Sequence, residues 1–302
     1  MIDYIPIVFC FDANYANCAA VATFSAFSNS TVPLKVYWLV PSSDVEVANL
    51  KKLSLSSLGV NIFIRPVDSN HFQDWKQVHH ITRGAYLRLL IPETVEEDKI
   101  IYLDSDVIVQ TDLSPLYSID LETFTMAGAL ETAADGQMTN MPLSKPVRYI
   151  NTGVLVMDLK RLRQEGFFLK CKDIYEKYAE QISWADQCII NKYIESGKKI
   201  LNPCWNHYVS LGKNASWKKR NAEDLMTAAS ILHFLTANKP WHRSYPPHIA
   251  DIWWGYADKL QLDGLTREAY QPEARIKRSL FRRISDSASK RFSQLVSLIR
   301  QT

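Results

Sequence analysis

The sequence predicts an α/β fold: a mostly parallel sheet with helices on both faces. Three features carry this expectation. Apolar runs of strand length alternate with helical patterns, the early strands are apolar at every position, and no internal repeat or long linker interrupts the chain before about Gln271. A tandem β-α-β-α-β order builds a parallel sheet, because each crossover helix returns the chain to the same end. A strand that is apolar throughout is one buried on both faces.

The elements follow in order. Ile5–Phe11 reads as a strand, Tyr15–Ser28 as a helix and Leu34–Val40 as a second strand. Val45–Leu58 reads as a helix and Val60–Arg65 as a third strand. Ile81–Leu90 has a helical pattern that should stop before Pro92, since proline breaks a helix interior. Lys99–Gln110 carries the apolar strand IIYL, which runs into Asp104-Ser105-Asp106 and then Val107-Ile108-Val109. Thr125–Leu130 and Tyr149–Asp158 read as strands, and Leu169–Glu180 and Asp186–Ser196 as helices. Ser230–Phe234 is a short late strand and Pro247–Lys259 a late helix, on which Trp253, Trp254 and Tyr256 read as packing residues.

Composition narrows the class. Of 302 residues 47% are hydrophobic and 22% charged, which excludes wholesale disorder. A chain of this length buries roughly three quarters of its unfolded surface. Five cysteines, an odd number with no C-x-x-C pair, point to free thiols in a reducing compartment rather than to a disulfide framework. The start, Met1-Ile2-Asp3-Tyr4, lacks the basic stretch of a signal peptide, and nowhere do 18 consecutive apolar residues occur. A cytoplasmic protein is expected.

The net charge of +3 is unevenly spread. From Arg275 to Thr302 there are eight Lys/Arg and one Asp, a net +7, which leaves −4 on the rest. The basic character therefore belongs to the tail and gives no sign of a nucleic-acid groove in the body. In that tail Ile276, Leu280, Ile284, Ala288, Phe292, Leu295 and Ile299 recur at three- or four-residue steps, with Arg278, Arg282, Arg283, Lys290 and Arg291 between them. This is the pattern of a basic amphipathic helix. It predicts a separate module, residues 271–302, that lies on an anionic membrane surface through residues 275–300. Packing of that helix on the body or at an oligomer seam is the other reading. Residues 1–270 are expected to form the main domain.

Chemistry is concentrated at strand ends, where open α/β sheets bind ligands. The first strand ends at Cys10-Phe11-Asp12-Ala13-Asn14-Tyr15 with no G-x-G-x-x-G after it, and no G-x-x-x-x-G-K-[ST] occurs anywhere. That argues against dehydrogenase and P-loop readings. Asp12 and Asn14 stand where a base or ribose would be held. Asp104 and Asp106, at i and i+2 after a buried strand, would point to one side in extended chain and could grip one cation. Hard oxygen ligands suit Mg²⁺ or Mn²⁺, with a diphosphate completing the shell. His233 ends a later apolar strand; joined to two carboxylates, an imidazole shifts the preference toward Mn²⁺. Lys239 offers a point charge for a phosphate.

Six segments together resemble glycosyltransferase family 8, the retaining GT-A-fold enzymes that include bacterial lipooligosaccharide galactosyltransferases and glycogenin. They are Ile7–Ala16 (IVFCFDANYA), His80–Pro92 (HITRGAYLRLLIP), Lys99–Val109 (KIIYLDSDVIV), Tyr149–Arg161 (YINTGVLVMDLKR), Trp184–Asn191 (WADQCIIN) and Leu232–His242 (LHFLTANKPWH). The resemblance implies a Rossmann-like GT-A sheet. It implies that Asp104, Asp106 and His233 bind Mn²⁺, with Mg²⁺ as the alternative. Cys10, Asp12, Asn14 and Tyr15 would hold uridine. Arg88 and Asn151 would contact the donor sugar or its diphosphate, Lys239 the diphosphate, and Ser105 the donor between its flanking carboxylates. Asp186 would grip sugar hydroxyls, Gln187 would sit beneath the anomeric carbon, and His80 would lie near the acceptor. The family carries glycine three residues before its Lys-Pro-Trp, at the position held here by Thr236. A β-branched residue there crowds a phosphate that glycine would admit.

The function so implied is retaining transfer of galactose or glucose from a UDP-sugar to a glycan acceptor, a lipid-linked or lipopolysaccharide-type surface glycan at the inner face of the membrane. Self- or protein-glucosylation, as in glycogenin, and metal-dependent nucleotidyl transfer are the alternatives, as is a non-catalytic binding module. For Asp186 and Gln187 the residues alone allow another role, capping of a helix that starts near Ser183.

Overall fold

The structure is a computed structural model that describes residues 2–78, 83–131, 140–143, 148–209, 227, 229–235, 237–243, 245–263 and 265–267. Three strands, β1 (Ile5–Cys10), β2 (Leu34–Pro41) and β3 (Ile62–Val67), alternate with helices α1 (Ala16–Ser28) and α2 (Val45–Ser56). β4 (Lys99–Leu103) and β5 (Val107–Val109) follow the short helix α3 (Ile91–Thr94). Then come α4 (Ser114–Tyr117), β6 (Met126–Leu130), β7 (Ile150–Asp158) and helices α5 (Leu159–Gln164), α6 (Phe167–Tyr178) and α7 (Ala185–Tyr193). The short strands β8 (Lys199–Leu201), β9 (His207–Tyr208) and β10 (Ile231–His233) precede the last described helix, α8 (Pro247–Leu260).

Seven strands form one sheet in the order β3-β2-β1-β4-β7-β6-β8. β3, β2, β1 and β4 pair in parallel; β7 runs antiparallel to both β4 and β6, and β8 is parallel to β6. The sheet is thus mostly parallel, as the alternation predicts, with β7 reversed inside it. A strand buried on both faces carries the same apolar signature in either direction, so the reversal leaves no trace in the pattern. β1 shows how both faces are filled. Ile5, Ile7 and Phe9 point into one apolar layer with α1 and α8, while Val8 and Cys10 point into the other with α6 and α7. Each fully buried aliphatic side chain of such a strand contributes about 1.5–3 kcal/mol. Trp253 is fully buried and Trp254 nearly so, in keeping with a packing role on α8.

A second, small sheet holds the site's other half. β10 pairs antiparallel with β5 and parallel with β9, with His233 opposite Val107 and Tyr208. The chain leaves β4 in one sheet and enters β5 in the other. Asp104-Ser105-Asp106 is therefore a turn and not the extended strand expected from its apolar flanks.

Two helix boundaries also differ from expectation. Arg83–Leu90 is a 3₁₀ helix, and Pro92 lies inside the first turn of α3, where its missing N–H is no loss. α6 starts at Phe167, directly after Gly166 in the left-handed region at φ +65°. No helix among the described residues is long and apolar enough to cross a membrane. His80, Thr236 and the basic tail lie outside the described residues.

Candidate active site

The end of β4, the start of β7, the start of α7 and the end of β10 meet at one point. Asp104 N–H donates to Gly153 O (2.8 Å), which ties the acidic turn to the first residues of the reversed strand. One ligand atom each from Asp104, Asp106 and His233 lies within 4.8 Å of the others. His233 Nε2 stands 3.2 Å from Asp106 Oδ1 and 3.7 Å from Asp104 Oδ2. Two carboxylates and one imidazole crowded this closely form a donor set that fits a divalent first-row cation. Gly153 makes room for it: a Cβ there would stand 2.2 Å from His233 Cε1.

A buried guanidinium joins this cluster to α7. Arg88 Nη2 donates to Asp104 Oδ1 (2.8 Å), and its Nε pairs with Asp186 Oδ2 (3.0 Å). Its Nη1 donates to Thr152 O (2.8 Å) and to Thr152 Oγ1 (3.2 Å), and the guanidinium stacks on Tyr102. Tyr102 OH also donates to Asp104 Oδ1 (2.6 Å). Arg88 is therefore a bridge between two carboxylates. Burial pushes the Asp186 carboxyl up to about 6, and the Arg88 charge works against that rise.

Asp186 and Gln187 do not cap their helix. α7 begins after Trp184, which makes no side-chain cap, and Ser183 Oγ bonds to Gln181 O instead. Asp186 is buried beside Arg88, and Gln187 Oε1 accepts from Thr152 N–H (3.2 Å). Asn191 fixes α7 on β7, accepting from Ile150 N–H and donating to the carbonyls of Ile150 and Gln187. Ala185, just before Asp186, has φ +45°, in the left-handed region that a non-glycine residue enters at a cost of about 1–2 kcal/mol.

On the other side, Lys239 is buried. Its Nζ donates to Asp106 Oδ2 (2.5 Å) and Phe234 O (2.6 Å). Burial would raise the Asp106 carboxyl, but the Lys239 ammonium beside it holds it well below the usual carboxylate range. A cavity beside the cluster is lined by Cys10, Asp12, Tyr15, Arg88 and the run Asp104–Asp106, with Gly84 and Ala85. Ser105 Oγ is buried there with no hydrogen-bond partner. Asp12 Oδ1 accepts from Asn14 N–H and shapes the turn after β1; Asn14 itself is exposed and does not line the cavity. Trp241 packs edge-on against Tyr15 and supports the cavity wall.

The sequence-predicted residues Cys10, Asp12, Tyr15, Arg88, Ser105, Asn151, Asp186, Gln187 and Lys239 thus surround the Asp104–Asp106–His233 cluster, while Asn14 stands outside the cavity. Sequence reasoning missed Thr152, Gly153, Asn206 and Glu131. An isolated glycine inside a strand marks close approach of another group, a signal that Gly153 carried. The others had no local signal.

The model of the family Glycosyl transferase family 8 matches residues 6–244 of the chain. The protein belongs to glycosyl transferase family 8. Among its relatives, general stress protein A of Bacillus subtilis is 25% identical over 266 residues, covering 84% of this chain and 93% of that one. Glycosyltransferase GlyF of Streptococcus pneumoniae is 27% identical over 228 residues, 74% of this chain and 54% of the relative. The matched region thus spans about half the length of that streptococcal family 8 relative. The crystal structure of the galactosyltransferase LgtC with donor and acceptor sugar analogs shares the fold, with a TM-score of 0.74 at 24% identity, over 85% of this chain and 97% of that one. This family 8 chain has the GT-A fold and is a glycosyltransferase. Membership of this family supports glycosyl transfer over the nucleotidyl-transfer reading.

Proposed function

We propose that the protein transfers a hexose, galactose or glucose, from a UDP-sugar to a glycan acceptor with retention of configuration at the anomeric carbon. The observation that carries this reading is the Asp104–Asp106–His233 cluster next to a cavity walled by Cys10, Asp12 and Tyr15, with Lys239 buried at Asp106. Asp104, Asp106 and His233 would hold Mn²⁺, or Mg²⁺ in its place. When bound, such an ion neutralises charge that builds on a diphosphate leaving group.

The remaining chemistry belongs to the chain's own residues. Cys10, Asp12 and Tyr15 receive the nucleoside. Lys239 faces the diphosphate and stabilises its growing charge as the bond from C1 to the phosphate oxygen breaks. Arg88 keeps Asp186 and Asp104 at a fixed separation, so that Asp186 can hold sugar hydroxyls. Gln187, oriented by Thr152 N–H, lies on the far face of the ring and supports its oxocarbenium character. The acceptor hydroxyl attacks C1 from the leaving-group side and gives its proton to the departing phosphate oxygen. Gln187 is a poor nucleophile, which favours this front-face course over a double displacement.

Within this reading the acceptor is a lipid-linked or lipopolysaccharide-type glycan. Residues 1–270 are the catalytic domain, and residues 271–302 hold it on the anionic inner face of the membrane; His80 serves the acceptor. A panel of UDP-sugars with and without Mn²⁺, assayed for released UDP, tests the class. Metal-dependent release from one sugar, lost in Asp106→Asn, is the expected result. Absence of both release and metal-dependent UDP binding overturns it. Intact mass after incubation with donor alone separates self-glucosylation.

A further inference from the structure

His233 is held from behind by an amide. Asn206, the last residue of the short helix Pro203–Asn206, is buried and precedes β9, which pairs with the strand carrying His233. Its Oδ1 stands 2.8 Å from His233 Nδ1. A chain of hydrogen bonds fixes which end of that amide faces the histidine. Gly153 N–H can only donate, and it donates to Asn151 Oδ1 (2.9 Å). The Asn151 amide nitrogen then turns to Glu131 Oε2 (3.0 Å), a carboxylate oxygen that suits a donor. Asn151 Oδ1 accordingly accepts from Asn206 Nδ2 (2.9 Å), and this leaves Asn206 Oδ1 toward His233. An amide oxygen can only accept, so the proton sits on Nδ1.

The geometry points to Asn206 as a positioning residue that locks His233 with Nδ1 protonated and the Nε2 lone pair aimed between Asp104 and Asp106. This inference rests on the metal-dependent reading given above. Without that lock the imidazole is free to protonate Nε2 instead, where it would hydrogen-bond Asp106 and block a metal. Partners that orient a ligating histidine in this way are worth about 10–100-fold in metal affinity. Nothing local in the sequence marks Asn206; the role arises from the packing of Pro203–Asn206 against the start of β7.

The test compares wild type with Asn206→Leu and Asn206→Asp. Leucine removes the acceptor, whereas aspartate keeps an acceptor for Nδ1–H but loses the donor to Asn151. Nitrogen-15 NMR of the full chain with Mg²⁺ reports which ring nitrogen carries the proton, and paramagnetic resonance of free Mn²⁺ reports affinity without any sugar. We expect wild type to show the Nδ1–H signal. Asn206→Leu should lose it and bind Mn²⁺ about 10–100-fold more weakly. Asn206→Asp should keep the signal and bind within a few-fold of wild type, even though it melts at a lower temperature. A wild-type proton on Nε2, unchanged Mn²⁺ affinity in Asn206→Leu, or an equal loss of affinity in both variants overturns the inference. If wild type takes up no Mn²⁺, the metal-dependent reading fails, while the Nδ1–H signal still decides the tautomer.

Discussion

Gly153 and His233 are in contact so close that one methyl group would separate them: a Cβ on Gly153 would stand 2.2 Å from Cε1 of the imidazole and 2.8 Å from Asp104 Oδ2. Gly153→Ala must therefore move a ligand of the cluster rather than a flexible surface chain. Overpacking of this kind costs about 1–3 kcal/mol. We expect a modest fall in melting temperature and at least a roughly tenfold loss of Mn²⁺ affinity. Calorimetric titration of metal into the variant checks it, and wild-type affinity would disprove the contact.

Arg88 lies between Asp104 and Asp186, and removing it strands a buried carboxylate. Arg88→Met should lower stability by about 3–5 kcal/mol at neutral pH. The pH dependence has a defined sign. The folded-state value for Asp186, about 6, lies above its ordinary 3.8. Its contribution to stability is complete below about pH 4 and is lost as pH rises through 6, by about 3 kcal/mol in all. Without Arg88 to offset burial, that loss deepens. Denaturant unfolding at pH 5 and pH 8 should show the Arg88→Met deficit to be larger at pH 8.

Lys239 Nζ faces Asp106 from a buried position, where a cation acts through little intervening water. Lys239→Met should lower the rate of UDP release about 100-fold or more, by analogy with the loss of one preorganised charge-stabilising donor. A titration of rate against donor concentration separates the loss of kcat from any change in KM. A variant with full kcat would remove Lys239 from the leaving-group role.

Ala185 holds φ +45° immediately before Asp186 and Gln187. Glycine takes this conformation without strain, so Ala185→Gly should release up to about 1 kcal/mol, partly offset by the freedom it gives the unfolded chain. A higher or unchanged melting temperature is expected. A clear fall would show that the alanine methyl contributes more by packing than it strains the backbone.

Much of the site is legible in the sequence because it sits where buried strands end. The apolar run Ile100–Leu103 leads into Asp104, and Ile231–Leu232 into His233, so each charged residue stands out against its strand. Arg88 and Lys239 are recognisable as candidates, but their partners are not. The pairing of Arg88 with Thr152 and Asp186 joins positions 64 or more residues apart. Asn206 has an unremarkable setting in the chain, and its meaning depends on His233, 27 residues later. The direction of β7 is equally hidden, since burial on both faces shows in the sequence and orientation does not. The turn at Ser105 escapes for a related reason: a strand that ends in one sheet and restarts in another looks continuous when only hydropathy is read.

The reversal of β7 brings the beginning of one strand to the height at which its neighbour, β4, ends. Asp104 and the run Asn151–Gly153 thereby share a hydrogen-bonded sheet margin instead of hanging from separate loops. Backbone so braced sets distances that do not drift when the connecting segments are rewritten. A lineage can then exchange the connecting segments while the reacting groups keep their spacing. The inverted strand in this way separates the part of the molecule free to diversify from the part that must stay constant.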